Sequence, residues 1–267
     1  MLPSKMLLKG LVMLQNKNFQ NVSLCLMVWN ERAGCETDIP LLQCERFLEV
    51  YAVDGSSTDG TVEFIESQGI HVYKQPVKSL NAAYHYAVEL CKGDKLIVYF
   101  PKGSIDPECV IDIADNLDKG NELVIASRNI QEARNEEDDQ LFRPRKWGVK
   151  LLAIIAAMLW RREGYRIRDV LHGVKGFSIS AFRKMEISPT GLTVDLEMAV
   201  RSYQLKIQRM EVPVAEKSRV TGKSHFPIIP TSKYLAAFLL REIIRSFFLF
   251  QLNNTSIYLK GNAKHLQ

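Results

Sequence analysis

Short strand-forming runs alternate with amphipathic stretches from residue 22 to residue 127, and this limits the fold more than any other feature. Residues 22–28, "VSLCLMV", and 48–53, "LEVYAV", read as strands, with a helix expected between them at about 36–47 and Pro40 near its start. "TVEFIESQG" reads as a helix stopped by Gly69, "IHVYKQ" as a third strand, and "LNAAYHYAVELCKG" as a helix ending at Gly93. "KLIVYF", the helix "PECVIDIADNLDKG" and "ELVIAS" continue the series. Strands separated by helices of this length require right-handed crossovers, so the class expected is α/β with a mainly parallel sheet flanked by helices. After residue 145 longer helices and isolated strands, "GVKGFSIS" and "KIQRMEVPV", take over. The division expected is an extension at 1–20, one domain at 21–226 and a helical appendage at 227–267. The polar piece "QEARNEEDDQ" at 131–140 reads as a mobile surface loop.

In an open parallel sheet, ligands bind beyond the carboxyl ends of the strands. Asn30 and Glu31, Asp54, Lys102 and Arg128 each follow an expected strand, so they should line one edge. Taken singly, each is equally a turn or cap residue. In "VDGSSTDGT", Ser57, Thr58 or Asp59 suffices to cap the next helix and Gly60 to turn the chain, which leaves Asp54 less well explained.

Composition narrows the partners. The 267 residues are 46% hydrophobic and 24% charged, which suits a large core and argues against disorder. A net charge of +5 favours an anionic ligand or membrane surface without demanding either. No dense Lys/Arg tract points to nucleic acid. The five cysteines form no CxxC pair and suggest neither disulfides nor zinc; Cys25 and Cys91 read as core residues of a reduced, cytoplasmic protein. Lys5 and Lys9 interrupt the apolar start of the chain, so no signal peptide is expected.

"MVWNE", then "VDGSSTDGT", then "CKGDKLIVYF" resemble the family 2 glycosyltransferases, whose nucleotide-binding fold is Rossmann-like (glycosyltransferase type A). The resemblance continues through "ELVIASRN", through "DVLHGVKGFSISAFRKM" with His172 where serine is usual, and through "VDLEMAVRSYQLKIQRMEVPVAEKSRVTGKSHF". It covers roughly residues 21–226 and is similar in its last part to the polyprenyl-phosphate branch, which includes dolichyl-phosphate mannose synthases. The resemblance implies nucleotide contacts at Val28, Glu31, Asp54 and Lys78. It implies Asp169, Asp195 and Glu197 near the reacting sugar and acceptor, with Asp195 as general base. Arg128, Arg143 and Arg219 would face phosphates, which suits the planar guanidinium fork. The alternative for Asp195 and Glu197 is a solvated helix face, and for Arg219 a surface charge.

The family's loop before Pro107-Glu108 reads Asp-Ala-Asp and holds a divalent cation, Mg²⁺ or Mn²⁺. Here the two acidic positions fall on Phe100 and Lys102, neither of which is an oxygen ligand. Three explanations stand side by side. Lys102 replaces the metal as the charge beside the leaving diphosphate; or a nucleotide sugar binds without turnover; or Lys102 is a turn residue and other acids, Asp106 first, hold the metal. The activity implied is transfer of a sugar from a nucleotide diphosphate sugar to an acceptor, a polyprenyl phosphate by resemblance. The alternative is a catalytically silent nucleotide-sugar or partner-binding protein. A nucleotidyltransferase is disfavoured, because "WNERAG" is not a glycine-rich phosphate loop.

No uncharged apolar run reaches the 18–20 or so residues that cross a bilayer. Residues 147–160, "WGVKLLAIIAAMLW", and 231–250, "TSKYLAAFLLREIIRSFFLF", come nearest. Each suits an amphipathic helix lying on a membrane, or one packed on the core or in a homo-oligomer.

Overall fold

The computed structural model describes residues 17–218, 220 and 231–247. The signal-peptide reading and most of the expected extension at 1–20 lie outside the described residues, as do Arg219 and positions 221–226. Two compact units share the chain, Met1–Lys223 and Ser224–Gln267, against an expected boundary at 226/227.

The first unit is built on seven described strands: β1 (Phe19–Val28), β2 (Phe47–Asp54), β3 (His71–Lys74), β4 (Lys95–Tyr99), β5 (Leu123–Ser127), β6 (Lys175–Ser178) and β7 (Arg209–Pro213). Their order is β3-β2-β1-β4-β6-β5-β7. All pairings are parallel except those of β6, which runs antiparallel to β4 and β5. The α/β class with a mainly parallel sheet is therefore as expected; the reversal of β6 was not anticipated. That reversal brings the start of β6 to the edge where β4 and β5 end, with Val98 opposite Lys175.

The helices are α1 (Arg32–Asp38), α2 (Thr61–Ser67), α3 (Leu80–Leu90), α4 (Cys109–Asp118), α5 (Pro144–Trp160), α6 (Ile179–Met185) and α7 (Val194–Gln204). The helix expected at 36–47 is displaced: α1 starts earlier and ends at Asp38, and two 3₁₀ turns, Ile39–Leu41 and Cys44–Arg46, carry the chain to β2. Pro40 is the cause, since it has no N–H for the next helical bond. Leu24, Leu26, Ile97, Tyr99, Val124 and Ala126 of the central strands are sealed between the helical layers. Burial of that apolar surface is the main source of stability.

The 131–140 segment is a surface loop, as expected, and it is anchored: Asn135 and Glu137 are buried, the Glu137 carboxylate accepts from the Lys146 N–H at 3.0 Å, and Arg134 pairs with Ala215. Cys25 is a core residue, but Cys91 is half-buried just beyond α3; all five thiols are free.

In the second unit, residues 231–247 form a helix, α8. Residues 248–250 of the expected amphipathic stretch lie outside the described residues. Among the described residues no helix is long and apolar enough to cross a membrane.

Candidate active site

Asn30, Glu31, Lys102 and Arg128 follow the carboxyl ends of mutually parallel strands and Asp54 is the last residue of one, so the fold brings them to one edge. The loops after β1 and β2 are laced together. Ser57 Oγ accepts the Asn30 N–H at 2.8 Å, and Asn30 Oδ1 accepts the Thr58 N–H at 2.8 Å. The Glu31 N–H donates to Thr61 Oγ1 at 3.0 Å, and Glu31 is buried. Asp59, which accepts from the Thr61 N–H, serves the start of α2. Asp54 is buried too, and its carboxylate accepts from the Ser56 and Ser57 N–H groups at 2.9 and 3.1 Å. Asp54 thus shapes the turn at the end of β2. Val28 closes β1 as a buried residue opposite Asp54. Lys78 places its ammonium 4.3 Å from the Trp29 ring centroid, a cation–π contact that joins the 75–79 turn to the end of β1. Sequence reasoning missed Trp29, although it lies within the "MVWNE" motif.

The loop after β4 is held from beneath. Asp38 Oδ2 accepts from the Tyr99 hydroxyl at 3.0 Å and from the Gly103 N–H at 2.9 Å. α1 can approach so closely because Gly34 has no Cβ; one there would sit 2.3 Å from the Pro101 carbonyl oxygen. From above, the Lys217 N–H donates to the Ser104 carbonyl at 2.8 Å. Phe100 lies against Gly173, where a Cβ would come within 2.8 Å of its ring, and the Lys102 ammonium rests 4.8 Å from the Phe100 centroid. Asp106 is engaged in a local turn, accepting from the Glu108 N–H at 3.0 Å.

A divalent cation wants several oxygen ligands, and this loop offers an aromatic ring and an ammonium in the two positions the family gives to acids. Among the described residues no cluster of three or more His, Cys, Asp or Glu side chains is arranged to hold a metal ion. The residues present do not fit the metal the fold family implies.

Asp195 opens α7 and meets Lys175, the first residue of β6, with Nζ 2.5 Å from Oδ1. The Lys175 side chain is 1% exposed and that of Asp195 14%. Burial pushes the Asp195 carboxyl above its ordinary range, while Lys175 and then Lys102 pull it back. Asp195 and Glu197 are therefore not on a solvated helix face. Glu197 is fully buried and accepts from the Ser188 N–H at 2.8 Å, Asn81 Nδ2 at 3.3 Å and the Thr193 hydroxyl. That set of bonds fixes the entry to α7.

Arg128 forms a two-pronged pair with the fully buried Asp169, Nε to Oδ2 at 2.8 Å and one terminal nitrogen to Oδ1 at 2.9 Å. Its other terminal nitrogen reaches Glu216 at 2.9 Å. Burial opposes ionisation of Asp169, but Arg128 overrides it and holds the carboxyl at about 2. Burial, aided by Arg128, lowers His172 to about 4, so its imidazole is neutral near pH 7. Arg143 caps its own loop, donating to the Gln140 carbonyl at 2.7 Å and to the Asp138 carbonyl at 2.5 Å. Arg128 and Arg143, expected at phosphates, thus have their donors engaged with protein oxygens; Arg219, expected there too, lies outside the described residues. Lys175 was missed, though a lysine inside the strand-like "GVKGF" was the available signal.

Glycosyltransferase AglJ of Haloferax volcanii is 26% identical to this chain over 203 residues; the match covers 75% of this chain and 65% of that protein. The fold is shared with glucosyl-3-phosphoglycerate synthase of Mycobacterium tuberculosis. Its complex with phosphoglyceric acid superposes with a TM-score of 0.63 at 17% identity, covering 90% of this chain and 85% of that one. Its complex with Mn²⁺, UDP-glucose and phosphoglyceric acid gives 0.63 at 18% identity, covering 85% and 80%. Residues 41–186, more than half of the chain, match the Glycosyl transferase family 2 domain. The ordered loops at the carboxyl edge, the sheet order and this match agree: the chain belongs to glycosyl transferase family 2.

Proposed function

We propose that the protein transfers a sugar from a nucleotide diphosphate sugar to a polyprenyl phosphate, with Lys102 in place of a divalent metal. The observation that carries this reading is the loop after β4: Phe100 is packed on Gly173, and Lys102 is set over that ring near enough to act on Asp195. The nucleotide would lie over Val28, Glu31, Asp54 and the Trp29–Lys78 pair. An acceptor oxygen attacks the anomeric carbon as its bond to the diphosphate breaks, and the diphosphate leaves with the bonding electrons and a growing negative charge. A preorganised ammonium at that point stabilises the charge where it develops. Inversion at the anomeric carbon is expected from the resemblance. A phosphate acceptor is already an anion, so it needs no proton removed; Asp195, tied to Lys175, is poorly placed to remove one.

A lipid acceptor suits the surface of α5. Trp147, Leu151, Ile154 and Met158 form one exposed apolar stripe, opposite the buried Val149, Ala153, Ala156 and Trp160. The helix has no acidic residue, and Arg145, Lys150, Arg161 and Arg162 stand exposed along it or just past its end. Such a face suits an anionic bilayer. Five free thiols suit the cytoplasmic side.

The test is calorimetric titration of UDP, GDP and their sugars, with EDTA and with Mn²⁺. Binding should survive EDTA, and Lys102→Ala should weaken the diphosphate by about 1.5–3 kcal/mol while sparing the nucleoside. A strict metal requirement would overturn the lysine-for-metal reading. The second reading, a silent nucleotide-sugar-binding protein, is favoured by the loss of both acids to Phe100 and Lys102. Metal-free binding with no transfer to polyprenyl phosphate would establish it.

A further inference from the structure

We infer that the cavity between the turn at 163–165 and the first residue of β7 binds a phosphate group, with Arg209 at its base and Arg161 at its rim. This site lies apart from the edge proposed for sugar transfer and does not depend on that reading. Arg209 is paired with Leu123 at the amino ends of β7 and β5, whereas Arg128 follows the carboxyl end of β5.

The cavity has a volume of about 250 Å³, and Glu163, Gly164, Tyr165, Lys206 and Arg209 are among its walls. Arg209 is 5% exposed. Its guanidinium is fixed by four carbonyls. Nε donates to Tyr165 at 2.9 Å, one terminal nitrogen to Ser202 and Ile207 at 2.8 and 2.9 Å, and the other to Glu163 at 2.6 Å. The group also lies 4.5 Å from the Tyr203 ring centroid. A guanidinium has five N–H donors, so one on the last nitrogen is left over. The same nitrogen would stand 3.2 Å from a Cβ at Gly164, whose φ is +73°, so glycine both makes the turn and keeps the approach to that donor open.

The carbonyls position Arg209 but carry no formal charge, and a buried charge without a counter-charge is costly. Among the described residues no carboxylate pairs with it. Those nearby serve other groups: Glu163 pairs with Lys206 at 2.9 Å, Glu122 accepts from the Gln208 N–H at 3.3 Å, and Glu211 accepts from the Arg168 and Asp169 N–H groups. A second guanidinium binds the same turn. Arg161 Nε donates to the Gly164 carbonyl at 2.9 Å, and its terminal nitrogens have no partner among the described residues. Arg162 and Arg166 stand exposed on either side. Burial lowers the Arg209 pKa; Tyr203 and Glu163 oppose the shift and Arg161 adds to it. Two guanidiniums on one short turn are the arrangement that a phosphate relieves, since its oxygens accept from both. The phosphate would come from a soluble ester or from a lipid headgroup. The turn follows α5 directly, and exposed Met158 and Leu159 precede Arg161, so a headgroup is within reach of a helix lying on a bilayer.

The experiment titrates inorganic phosphate into ¹⁵N-arginine-labelled protein at constant ionic strength, with chloride as the control. The Nε–H resonance of Arg209 should shift and saturate with phosphate alone; phosphate entering the nucleotide edge would leave it unmoved. Arg209→Lys keeps the charge and removes the fork, but it also loosens three segments, so the deciding variant is the exposed Arg161→Gln. That change should weaken phosphate about tenfold and leave the thermal midpoint in phosphate-free buffer unaltered. Flotation separates the two sources, using vesicles that carry phosphatidic acid or phosphatidylserine at equal surface charge. If Arg161→Gln loses phosphatidic acid vesicles and keeps phosphatidylserine vesicles, the site takes a lipid phosphate. If it weakens inorganic phosphate and floats, or fails to float, just as the unmutated protein does, the site takes a soluble one. Either result supports the inference. An Arg209 resonance that phosphate leaves unmoved or chloride moves equally, or unchanged phosphate affinity in Arg161→Gln, would overturn it.

Discussion

His172 sits where the family usually has serine, inside a buried cluster of charges, and burial there has a consequence for acid stability. The ring is 3% exposed, with Nδ1 3.3 Å from the Val174 carbonyl oxygen. Its pKa is depressed from 6.5 to about 4 by burial and by Arg128. A histidine so shifted stays neutral when folded while the unfolded chain takes up a proton. Its contribution to stability is complete above pH 6.5 and is lost as pH falls from 6.5 towards about 4. Urea midpoints should therefore drop across that window, and His172→Ser should flatten the drop. An unchanged slope in the variant would place the acid sensitivity elsewhere. Asp169, held at about 2, adds its own loss only below the ordinary carboxylate range, so the two effects separate. The same cluster marks the limit of reading the residues in order. That Arg128 follows a strand and reaches the site edge was legible from spacing. That its fork is occupied by Asp169 and Glu216 was not, because those partners lie 41 and 88 positions away. Lys175 and Asp195, 20 positions apart, were hidden for the same reason.

Elements were legible where a pattern repeats and obscure where one residue decides. Continuous apolar runs revealed β1, β4 and β5, which are buried on both faces, and amphipathic patterns revealed most of the helices between them. One proline was enough to end α1 and unwind the stretch the periodicity assigned to a longer helix. The direction of β6 left no local trace, since a four-residue strand carries no signal for parallel or antiparallel pairing. α5 shows the same limit differently. Its helical period was clear, but small Ala153 and Ala156 face inward while larger Leu151 and Met158 face outward. Val149 and Trp160 join the two alanines on the buried face, and the bulky Trp147, Leu151, Ile154 and Met158 are left for another surface. If that surface is an anionic bilayer, the protein should float with vesicles containing phosphatidylserine. Trp147→Ser/Leu151→Ser/Met158→Ser should then release it, with its thermal midpoint unchanged because none of the three is buried. Release by salt alone would assign attachment to the cations. A dimer dissolved by the same substitutions, with no vesicle binding, would assign the stripe to a second copy. In α8, Leu240, Ile243, Ile244 and Phe247 are also exposed, so removing 231–267 forms the second arm of the same flotation assay.

At the scale of the whole molecule, the proposed ligand would join segments far apart in sequence. Glu31, Asp54, Lys102 and Asp195 come from the ends of β1, β2 and β4 and the start of α7. A nucleotide lying across them would tie together loops that unfold with different parts of the sheet. Ligand held at about a hundred times its dissociation constant stabilises the native state by about 2.7 kcal/mol. For a unit of this size that is about 5–10 °C in the thermal midpoint. On the proposed reading the rise should be the same in EDTA and in Mn²⁺, because Lys102 would supply the charge beside the phosphates. It should be smaller for Lys102→Ala with a diphosphate and unaltered with a nucleoside. It should also appear in one cooperative transition of the Met1–Lys223 unit, since the contacts span its sheet rather than one loop. A shift that appears only with Mn²⁺ would show that the chain recruits a metal despite Phe100 and Lys102. A shift produced equally by nucleoside and diphosphate would leave the base pocket intact and remove the phosphate role from Lys102.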